Sequence, residues 1–422
     1  MFKEYYRAVR FLESLNNLKS PEKLPADFHL KRAWRLIKEL KINLRQFKFV
    51  HIAGTSGKGS VTAMVHNILK EAGKKVGSLY SPHTTTMIER IEVGDKYISP
   101  KELVKILNRL KKAAERIYKK DTSLRPGFQE FMLAMALLYF QKNHCEYAVL
   151  ETSVGGEFDA TNIIPQPIIG AITNIGLDHT HLLGETLAEI AKAKAGIIKP
   201  GVLIVTTETK PKILKILTAK AKKMNSTLIT VNSNGSFDLS INGNKQNRNA
   251  ELAEKIGEIL GLDPKAIEKG IKKTTLPCRL EIIQKKPTVI LDGAHNLDKI
   301  KSTCESLKKF TYKKLLLIIA VNENKDIKKI IKTVAGEADK VFVTRHYNAG
   351  RACADLQLMY TLFLAANKKI KAEIRLDPWQ ALEQALCEAK KEDLVLVTGS
   401  FFLAGELRKK WCSEERILRY NS

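Results

Sequence analysis

Short apolar runs alternate with longer amphipathic stretches through the first half of the chain. The runs have the length and apolar content of buried strands, and they are Phe47–Ala53, Val76–Tyr80, Tyr147–Leu150, Ile168–Asn174 and Val202–Thr206. The stretches between and after them predict helices, for example over Ser60–Ala72, Phe131–Phe140 and residues 249–261. Strands that alternate with helices predict an α/β fold with a parallel-dominated sheet.

The pattern breaks between residues 271 and 281 (IKKTTLPCRLE), which predicts a linker, and a second alternation follows. Its predicted strands are Thr288–Leu291, Leu315–Ala320, Lys340–Thr344 and Leu394–Thr398, and its predicted helices are Ile327–Val334, Leu356–Ala366 and Trp379–Lys390. A chain of 422 residues is too long for one ordinary core. We therefore expect two domains, residues 1–276 and a smaller Rossmann-like α/β domain over 277–422.

Composition favours a soluble enzyme of the cytoplasm. The hydrophobic fraction of 44% and the charged fraction of 27% are ordinary for a globular protein. No apolar run approaches the ~20 residues of a membrane span, and Met1–Arg10 lacks an apolar signal core. The six cysteines contain no CxxC pair, so no zinc or redox site is predicted and the thiols are expected to be reduced.

The net charge of +26 raises the question of a polyanionic partner. The lysines are spread along helical stretches such as Lys212–Lys223, and no zinc-finger spacing is present. We interpret them as solvated helix faces, which disfavours nucleic acid as the partner. A positive field would also attract anionic small substrates.

A glycine-rich loop between the first predicted strand and its helix carries the sharpest chemical signal. It consists of Gly54, Thr55, Ser56, Gly57, Lys58, Gly59 and Ser60. Glycines let backbone N–H groups converge on phosphate oxygens, and the following helix N-terminus adds positive potential. Lys58 can neutralise the terminal phosphates, and the Ser60 hydroxyl can contact phosphate or metal. Strand, loop and helix agree, which favours an ATP-binding loop over a glycine-rich turn with an incidental lysine.

The loop departs from the common GxxxxGK[ST] spacing and resembles the ATP loop of Mur-type amide ligases. Its GKGS ending resembles the folylpolyglutamate synthase/dihydrofolate synthase branch. Further segments resemble that family in the family's order, over about residues 30–405: SPH and ERI (81–83 and 89–91), ETSVGGEFDATN (151–162), TNIGLDH (173–179), IAKAKAGI (190–197), PCR (277–279), DGAHN (292–296) and TGS (398–400).

The resemblance implies a P-loop Mur-ligase-type ATPase domain followed by a Rossmann-like ligase domain. It also implies an activity, the ATP-dependent joining of L-glutamate to a folate, to dihydropteroate, or to both, through an acyl phosphate with release of ADP and phosphate. A monomer is the usual state in that family.

The resemblance places magnesium at Ser81, Glu151 and His179, with two ions in the site. Glu151 ends a predicted parallel strand, where such sheets place ligands. Carboxylate and hydroxyl oxygens suit Mg²⁺, which keeps several waters and bridges phosphates. The alternatives are an ordinary charge at a strand end for Glu151 and a surface or core histidine for His179.

Lys194 and His295 are the further catalytic candidates. A lysine in a helical stretch is by default a solvated one, but the resemblance implies that Lys194 is carbamylated and helps to organise the metal ions. A lysine of lowered pKa is the kind that reacts with CO₂. His295 is either catalytic or shapes the turn after its strand, and the sequence leaves both open.

The remaining candidates bind nucleotide or pterin. By resemblance, Asn249 contacts the nucleotide, and Arg279 and Asp292 reach ATP from the second domain, which makes domain closure part of the mechanism. Phe128, Asp159 and Ala160 match the pterin side. Departures from the family pattern at Gly127, Thr152, Ser153 and Glu157 bear on pterin specificity.

Three other functions are compatible with parts of the sequence. The first is a ligase of the same architecture that acts on another carboxylic acid. The second is a basic, nucleotide-dependent nucleic-acid-binding protein, which predicts affinity that falls steeply with salt. The third is a non-catalytic protein that has kept the fold, which the intact Lys58, Ser81, Glu151, His179 and Lys194 disfavour.

Overall fold

The computed structural model describes residues 2–17, 27–231, 235–347 and 352–422. Its strands are β1 (Lys48–Ala53), β2 (Val76–Leu79), β3 (Ile91–Val93), β4 (Lys96–Tyr97), β5 (Tyr147–Glu151), β6 (Ile169–Ile172), β7 (Leu203–Thr206), β8 (Leu228–Thr230), β9 (Glu281–Lys285), β10 (Thr288–Leu291), β11 (Leu315–Ile319), β12 (Lys340–Val343), β13 (Lys371–Ile374) and β14 (Leu394–Thr398).

Its helices are α1 (Lys3–Ser14), α2 (Phe28–Glu39), α3 (Lys58–Glu71), α4 (Pro100–Lys120), α5 (Phe128–Lys142), α6 (Thr180–Leu183), α7 (Leu187–Ala195), α8 (Pro211–Lys223), α9 (Gln246–Ile259), α10 (Pro264–Lys273), α11 (Leu297–Leu307), α12 (Ile327–Val334), α13 (Leu356–Ala366), α14 (Pro378–Glu388), α15 (Phe401–Arg408) and α16 (Glu414–Tyr420). Short 3₁₀ helices lie at Leu15–Asn17, Leu44–Gln46, Met87–Arg90, Thr122–Leu124 and Ala160–Ile163.

The first sheet contains eight strands in the order β4-β3-β2-β5-β1-β6-β7-β8. All neighbours pair in parallel except β2–β3 and β3–β4, which form an antiparallel edge. The α/β fold with a mostly parallel sheet is therefore confirmed. The hairpin of β3 and β4 was not predicted, because two or three residues are too few to show a period of two.

Strand β1 lies at the point where the order of this sheet reverses. It pairs with β5 on one side and β6 on the other, with Ile52 opposite Glu151 and Ala53 opposite Ile172. The carboxyl ends of these three strands therefore meet at one edge, the position where open α/β sheets bind ligands. Helices α3, α9 and α10 pack on one face of the sheet, and α2, α4 and α5 contribute to the core on the other.

The second sheet contains six strands in the order β13-β12-β11-β14-β10-β9. Only the β9–β10 pair is antiparallel. Strands β10 and β14 and helices α12 and α13 have the bounds that the sequence predicts. The stretch predicted as a linker contains the end of α10 and the start of β9, so only a short connection separates the two units. The boundary at residues 276 and 277 stays a prediction.

The carboxyl ends of the two sheets face each other across a cleft. Asn296 Nδ2 and Lys325 Nζ of the second unit donate to the two carboxylate oxygens of Asp178 at 2.8 and 2.7 Å. On the other side of the interface, helix α16 returns to the first unit. Its Leu418 is fully buried in the core there, and Asn421 Oδ1 accepts a hydrogen bond from Tyr97 N at 2.8 Å.

No helix in the described parts of the chain combines the length and the apolar character that crossing a membrane requires.

Candidate active site

The glycine-rich loop leaves β1 and enters α3 through backbone conformations that glycine favours. Gly57 has φ +85°, and a Cβ there would lie 2.3 Å from Asn249 Oδ1. A Cβ on Gly54 (φ +146°) would collide with the Thr173 side chain. The loop is anchored to the segment after β6, since Thr55 N and Ser56 N donate to the backbone and side-chain oxygens of Asn174. The helix N-terminus of α3 is thereby aimed into the cleft.

Two lysines from distant parts of the chain converge on one carbonyl oxygen of this loop. Lys58 Nζ lies 3.2 Å and Lys194 Nζ 2.9 Å from Gly54 O. Lys194 is buried near the end of α7, and burial, with the nearby Lys58 charge, lowers its pKa to about 7. A phosphate at this loop would lie close to both amines, and its negative charge would favour their protonated forms.

Glu151 ends β5 directly beside the loop. Its Oε2 accepts from Ser81 N at 2.9 Å, and a Cβ at Gly59 would lie 3.4 Å from the same oxygen. Burial raises the pKa of Glu151, although the charge of Lys58 opposes the shift. A buried carboxylate without a full set of donors is one that a cation would stabilise.

His179 and Asp178 follow β6. His179 has a left-handed backbone (φ +51°) and starts the short helix α6, and burial lowers its pKa to about 4, so its ring is neutral near pH 7. Burial alone would raise the pKa of Asp178, but the surrounding cations, Lys299 foremost, hold it well below its usual range. Asp178 is therefore a carboxylate anion that already has partners from the second unit.

The described residues contain no group of three His, Cys, Asp or Glu side chains placed to hold a metal ion. The proposed magnesium residues Ser81, Glu151 and His179 nevertheless line the same cavity. The oxygen donors of Ser81 and Glu151 fit a Mg²⁺ ion that takes its other ligands from water and phosphate, and the imidazole of His179 lies in the same lining.

The second unit contributes His295, Lys299 and Arg279 to the same cavity. His295 Nδ1 lies 2.8 Å from Gly293 O, and its Nε2 lies 3.0 Å from Lys299 Nζ. The Arg279 guanidinium lies over the Phe401 ring, 4.3 Å from its centroid. Burial lowers the pKa of both His295 and Arg279. The cavity wall is therefore built from both units.

A smaller cavity on the far side of the loop contains the other nucleotide candidates. Asn249, Asp292, Ser60 and Arg279 all line it. Asp292 accepts from Leu280 N and from Thr303 Oγ1, and burial raises its pKa. Its carboxylate therefore holds the segment that carries Arg279, besides facing the cavity.

The three pterin candidates divide into two groups. Phe128 lines the main cavity, with Arg90 stacked on its ring at 4.9 Å. Asp159 is buried, and its carboxylate accepts from Ser153 N, Val154 N, Thr161 N and Thr161 Oγ1, while Ala160 packs into the core. The structure thus places Asp159 and Ala160 behind the wall, where they fix the shape of the loop that Ser153 and Val154 present to the cavity.

The positions that depart from the family pattern lie around this wall. Ser153 Oγ accepts from Gln129 Nε2 at 2.8 Å and lies 3.3 Å from Ser81 Oγ, which links the pterin side to the magnesium side. Gly127 begins α5, and Glu130 accepts from its N–H. Thr152 is fully buried, whereas Glu157 is exposed and packs beside Gly196.

Sequence reasoning missed Asp178, Lys299 and Lys325 as members of the site. Asp178 lay within a quoted motif, but its partners are far away in the chain. Lys299 follows His295 by four residues, and this spacing of about one helical turn could have predicted that the two side chains lie close together. No sequence signal was found for Lys325, because its contact with Asp178 depends on how the two units meet.

Two family descriptions match the chain. The Mur ligase middle domain matches residues 52–262, and the Mur ligase glutamate ligase domain matches residues 278–401. The dihydrofolate synthase/folylpolyglutamate synthase of Bacillus subtilis is 30% identical over 399 residues, which cover 87% of this chain and 91% of that protein.

Solved structures of folylpolyglutamate synthases are also similar to this chain. The folylpolyglutamate synthase of Thermotoga maritima superposes with a TM-score of 0.81 at 32% identity and covers 96% of both chains. The folylpolyglutamate synthase of Mycobacterium tuberculosis, solved in complex with ADP and AMPPCP, has a TM-score of 0.85 at 25% identity, over 97% of this chain and 99% of that one.

Proposed function

The chain belongs to the Mur ligase family, in its folylpolyglutamate synthase/dihydrofolate synthase branch, and from this we propose the reaction that it catalyses. It is an ATP-dependent acid–amino-acid ligase that adds L-glutamate to a folate, to dihydropteroate, or to both. The substrate carboxylate takes the γ-phosphoryl group of ATP, which gives an acyl phosphate and ADP. The glutamate amine then attacks the acyl carbon, the C–O bond to phosphate breaks, and the products are the amide, inorganic phosphate and a proton.

One observation carries this proposal, namely the composition of the main cavity. The loop with Lys58, the buried Glu151 and Lys194, and His295 with Arg279 of the second unit all line one space. Phosphoryl transfer needs positioning and neutralisation of charge more than it needs a covalent enzyme intermediate. Four basic side chains (Lys58, Arg279, Lys299 and Arg90) and a helix N-terminus supply that neutralisation around the cleft.

In the proposed mechanism, the loop amides and Lys58 hold the β- and γ-phosphates of ATP. Asn249 and Asp292 line the cavity on the far side of the loop and are assigned to the rest of the nucleotide. The neutral His295 ring keeps its proton on Nδ1, which bonds to Gly293 O, so its Nε2 can accept a hydrogen bond in the cleft. Water is excluded as the second unit closes over the loop.

Magnesium is assigned to Ser81, Glu151 and His179. When bound there, the ion neutralises phosphate charge and polarises the transferred group. The support is the buried Glu151 carboxylate with its raised pKa, beside the neutral imidazole of His179. Glu151→Gln is expected to weaken the stabilisation of the protein by Mg²⁺, seen as a smaller rise in melting temperature on adding MgCl₂. An unchanged rise would refute this assignment.

Carbamylation of Lys194 is a further part of the proposal. The amine is buried and has a pKa of about 7, so a large share of it is neutral near pH 7 and able to react with CO₂. Carbamylation would replace the cation beside Lys58 with an anion. ¹³C NMR of the protein in ¹³C-labelled bicarbonate buffer near pH 7 is expected to show one carbamate resonance that Lys194→Arg lacks; identical spectra for the two proteins would exclude it.

Phe128 is assigned to the pterin ring, because it lines the main cavity. Asp159 and Ala160 act on the same subsite through the loop that they support. Of the departures from the family pattern, Ser153 has a side chain in the cavity. We therefore assign the tuning of pterin specificity to the Ser153–Gln129 pair.

The test of the function is phosphate release from MgATP with glutamate present. Dihydropteroate, tetrahydrofolate and no acceptor are compared. Release stimulated by either pterin supports the ligase and shows which substrate is used. ATP binding without stimulation by either pterin would indicate a ligase for another carboxylic acid, and stimulation by nucleic acid instead would overturn the proposal.

A further inference from the structure

Lys299 is a lysine of the second unit that lies between the two cavities. It is half-buried in the first turn of α11, four residues after His295. It lines the main cavity together with Lys58 and Glu151, and it also lines the smaller cavity together with Asn249. The phosphate-type loop separates these two spaces, so Lys299 faces the loop across the cleft.

The hydrogen bonds around Lys299 leave part of its ammonium group unused. His295 Nδ1 lies 2.8 Å from the Gly293 carbonyl oxygen, which can only accept, so Nδ1 carries the proton. Nε2 therefore has a lone pair, and it accepts one hydrogen of Lys299 Nζ at 3.0 Å. An ammonium has three hydrogens, and the other two have no acceptor within the described ranges.

Lys299 also lacks an ion-pair partner among the residues that the structure describes. The neighbouring carboxylate, Asp178, is bound instead by Lys325 at 2.7 Å and by Asn296 at 2.8 Å. Burial lowers the pKa of Lys299 to about 7; the Asp178 carboxylate opposes this shift, and the charges of Arg279, Lys58 and Lys325 add to it. A bound anion would reverse this effect and restore the positive charge.

The position of Lys299 indicates which anion it binds. A nucleotide that enters from the side of Asn249 and lays its phosphates on the loop must direct its terminal phosphoryl group into the main cavity. We propose that Lys299 contacts the γ-phosphoryl group of ATP and stabilises it during transfer. This inference rests on the proposed function, because it takes the loop to be the ATP site.

Lys58 and Lys299 then flank the transferred group from opposite sides, one from each unit. The second contact exists only when the units are together. Phosphoryl transfer is thereby coupled to closure of the cleft, which protects ATP from hydrolysis before the acceptor is enclosed.

The test compares ADP with AMPPCP, an ATP analogue that keeps the γ-phosphate, by isothermal titration calorimetry in the full-length protein. Lys299→Met is expected to bind AMPPCP ~10–100-fold more weakly, the loss that one hydrogen bond to a charged group produces. Binding of ADP is expected to change by less than about twofold, because ADP lacks the group contacted. Lys299→Arg is expected to recover most of the AMPPCP affinity.

Lys301→Met is the matched control. Lys301 lies on the same helix, is exposed, and lines neither cavity, so both affinities should equal those of the wild type. Equal AMPPCP affinity in Lys299→Met and wild type would overturn the assignment. It would also be overturned if Lys299→Met changed only the KM for glutamate, since Lys299 would then act on glutamate and not on ATP. If the wild type bound neither nucleotide, the proposed ATP site itself would fail and the assignment of Lys299 with it.

Discussion

At the scale of single residues, the central feature is the convergence of Lys58 and Lys194 on Gly54 O. The motif around Lys58 predicts its place from sequence, because a strand, a glycine loop and a helix are contiguous. Lys194 was predicted only through resemblance, since a helical lysine is normally solvated. Its burial depends on α7 packing against a loop 140 residues away, which no local pattern encodes.

Replacing Lys58 with alanine removes the charge closest to the start of α3. We expect kcat to fall by ~10²–10³, the usual cost of losing one electrostatic contact to a transition state. Circular dichroism and the melting temperature should stay close to wild type, because the side chain is only half-buried. Phosphate release at saturating substrates is the measurement, and retained turnover would contradict the assignment of the loop.

Lys194 and Lys192 form a natural pair for comparison. Both lie on α7, but Lys194 is buried against the loop and Lys192 is exposed. Lys194→Ala is expected to lower kcat by ~10²-fold or more, whereas Lys192→Ala should stay within about twofold of wild type. If Lys194→Ala and Lys192→Ala lost activity equally, the loss would come from a disturbance of helix α7 and not from removal of the buried amine.

At the scale of elements, the sequence predicts most of the interior strands because their apolar runs are long and uninterrupted. It misses β9 and β13, whose residues are mostly half-exposed edge positions without a clear alternation. It also starts α3 at Ser60 instead of Lys58. The two additional residues matter, because they place Lys58 and Gly59 in the first helical turn, beside Glu151.

A comparison of Gly57→Ala with Gly73→Ala separates the effect of backbone strain from the effect of steric crowding by a Cβ. Both have positive φ, +85° and +72°, so alanine strains either position by about 1 kcal/mol. A Cβ at Gly73 meets open space, whereas one at Gly57 meets Asn249 Oδ1 at 2.3 Å. Gly73→Ala should keep normal ADP affinity, and Gly57→Ala should lose ADP binding by ~10-fold or more.

Thermal melts and ADP titration of the two alanine variants provide the measurement. A Gly57→Ala protein that binds ADP as well as Gly73→Ala would show that the loop is not the nucleotide site.

At the scale of the whole molecule, one carboxylate joins the two units. Asp178 receives hydrogen bonds from Asn296 and Lys325, which lie 118 and 147 residues away. The Asp178–Lys325 pair is nearly excluded from solvent, with exposed side-chain fractions of 7% and 9%. The sequence predicts that two domains meet, but not which side chains join them, because the contact depends on their relative orientation.

Lys325→Ala leaves Asp178 buried without the lysine that contacts its carboxylate directly, at 2.7 Å. Removing one partner of a buried ion pair costs about 3 kcal/mol, so the free energy of unfolding in urea should fall by about that amount. Lys329→Ala removes an exposed partner of Asp326 and should cost less than about 0.5 kcal/mol. Equal losses would show that the Asp178–Lys325 contact does not hold the units together.

The return of α16 to the first unit has a consequence for how the protein is made. Leu418 completes a hydrophobic core whose other buried members lie between residues 5 and 164. Asn421 accepts a hydrogen bond from the backbone N–H of Tyr97. During synthesis, which adds roughly 5–20 residues per second, the ribosome must deliver almost the entire chain before that core can close. The first unit therefore finishes folding after the second has been translated, and a nascent chain stalled before residue 414 is expected to be sensitive to protease.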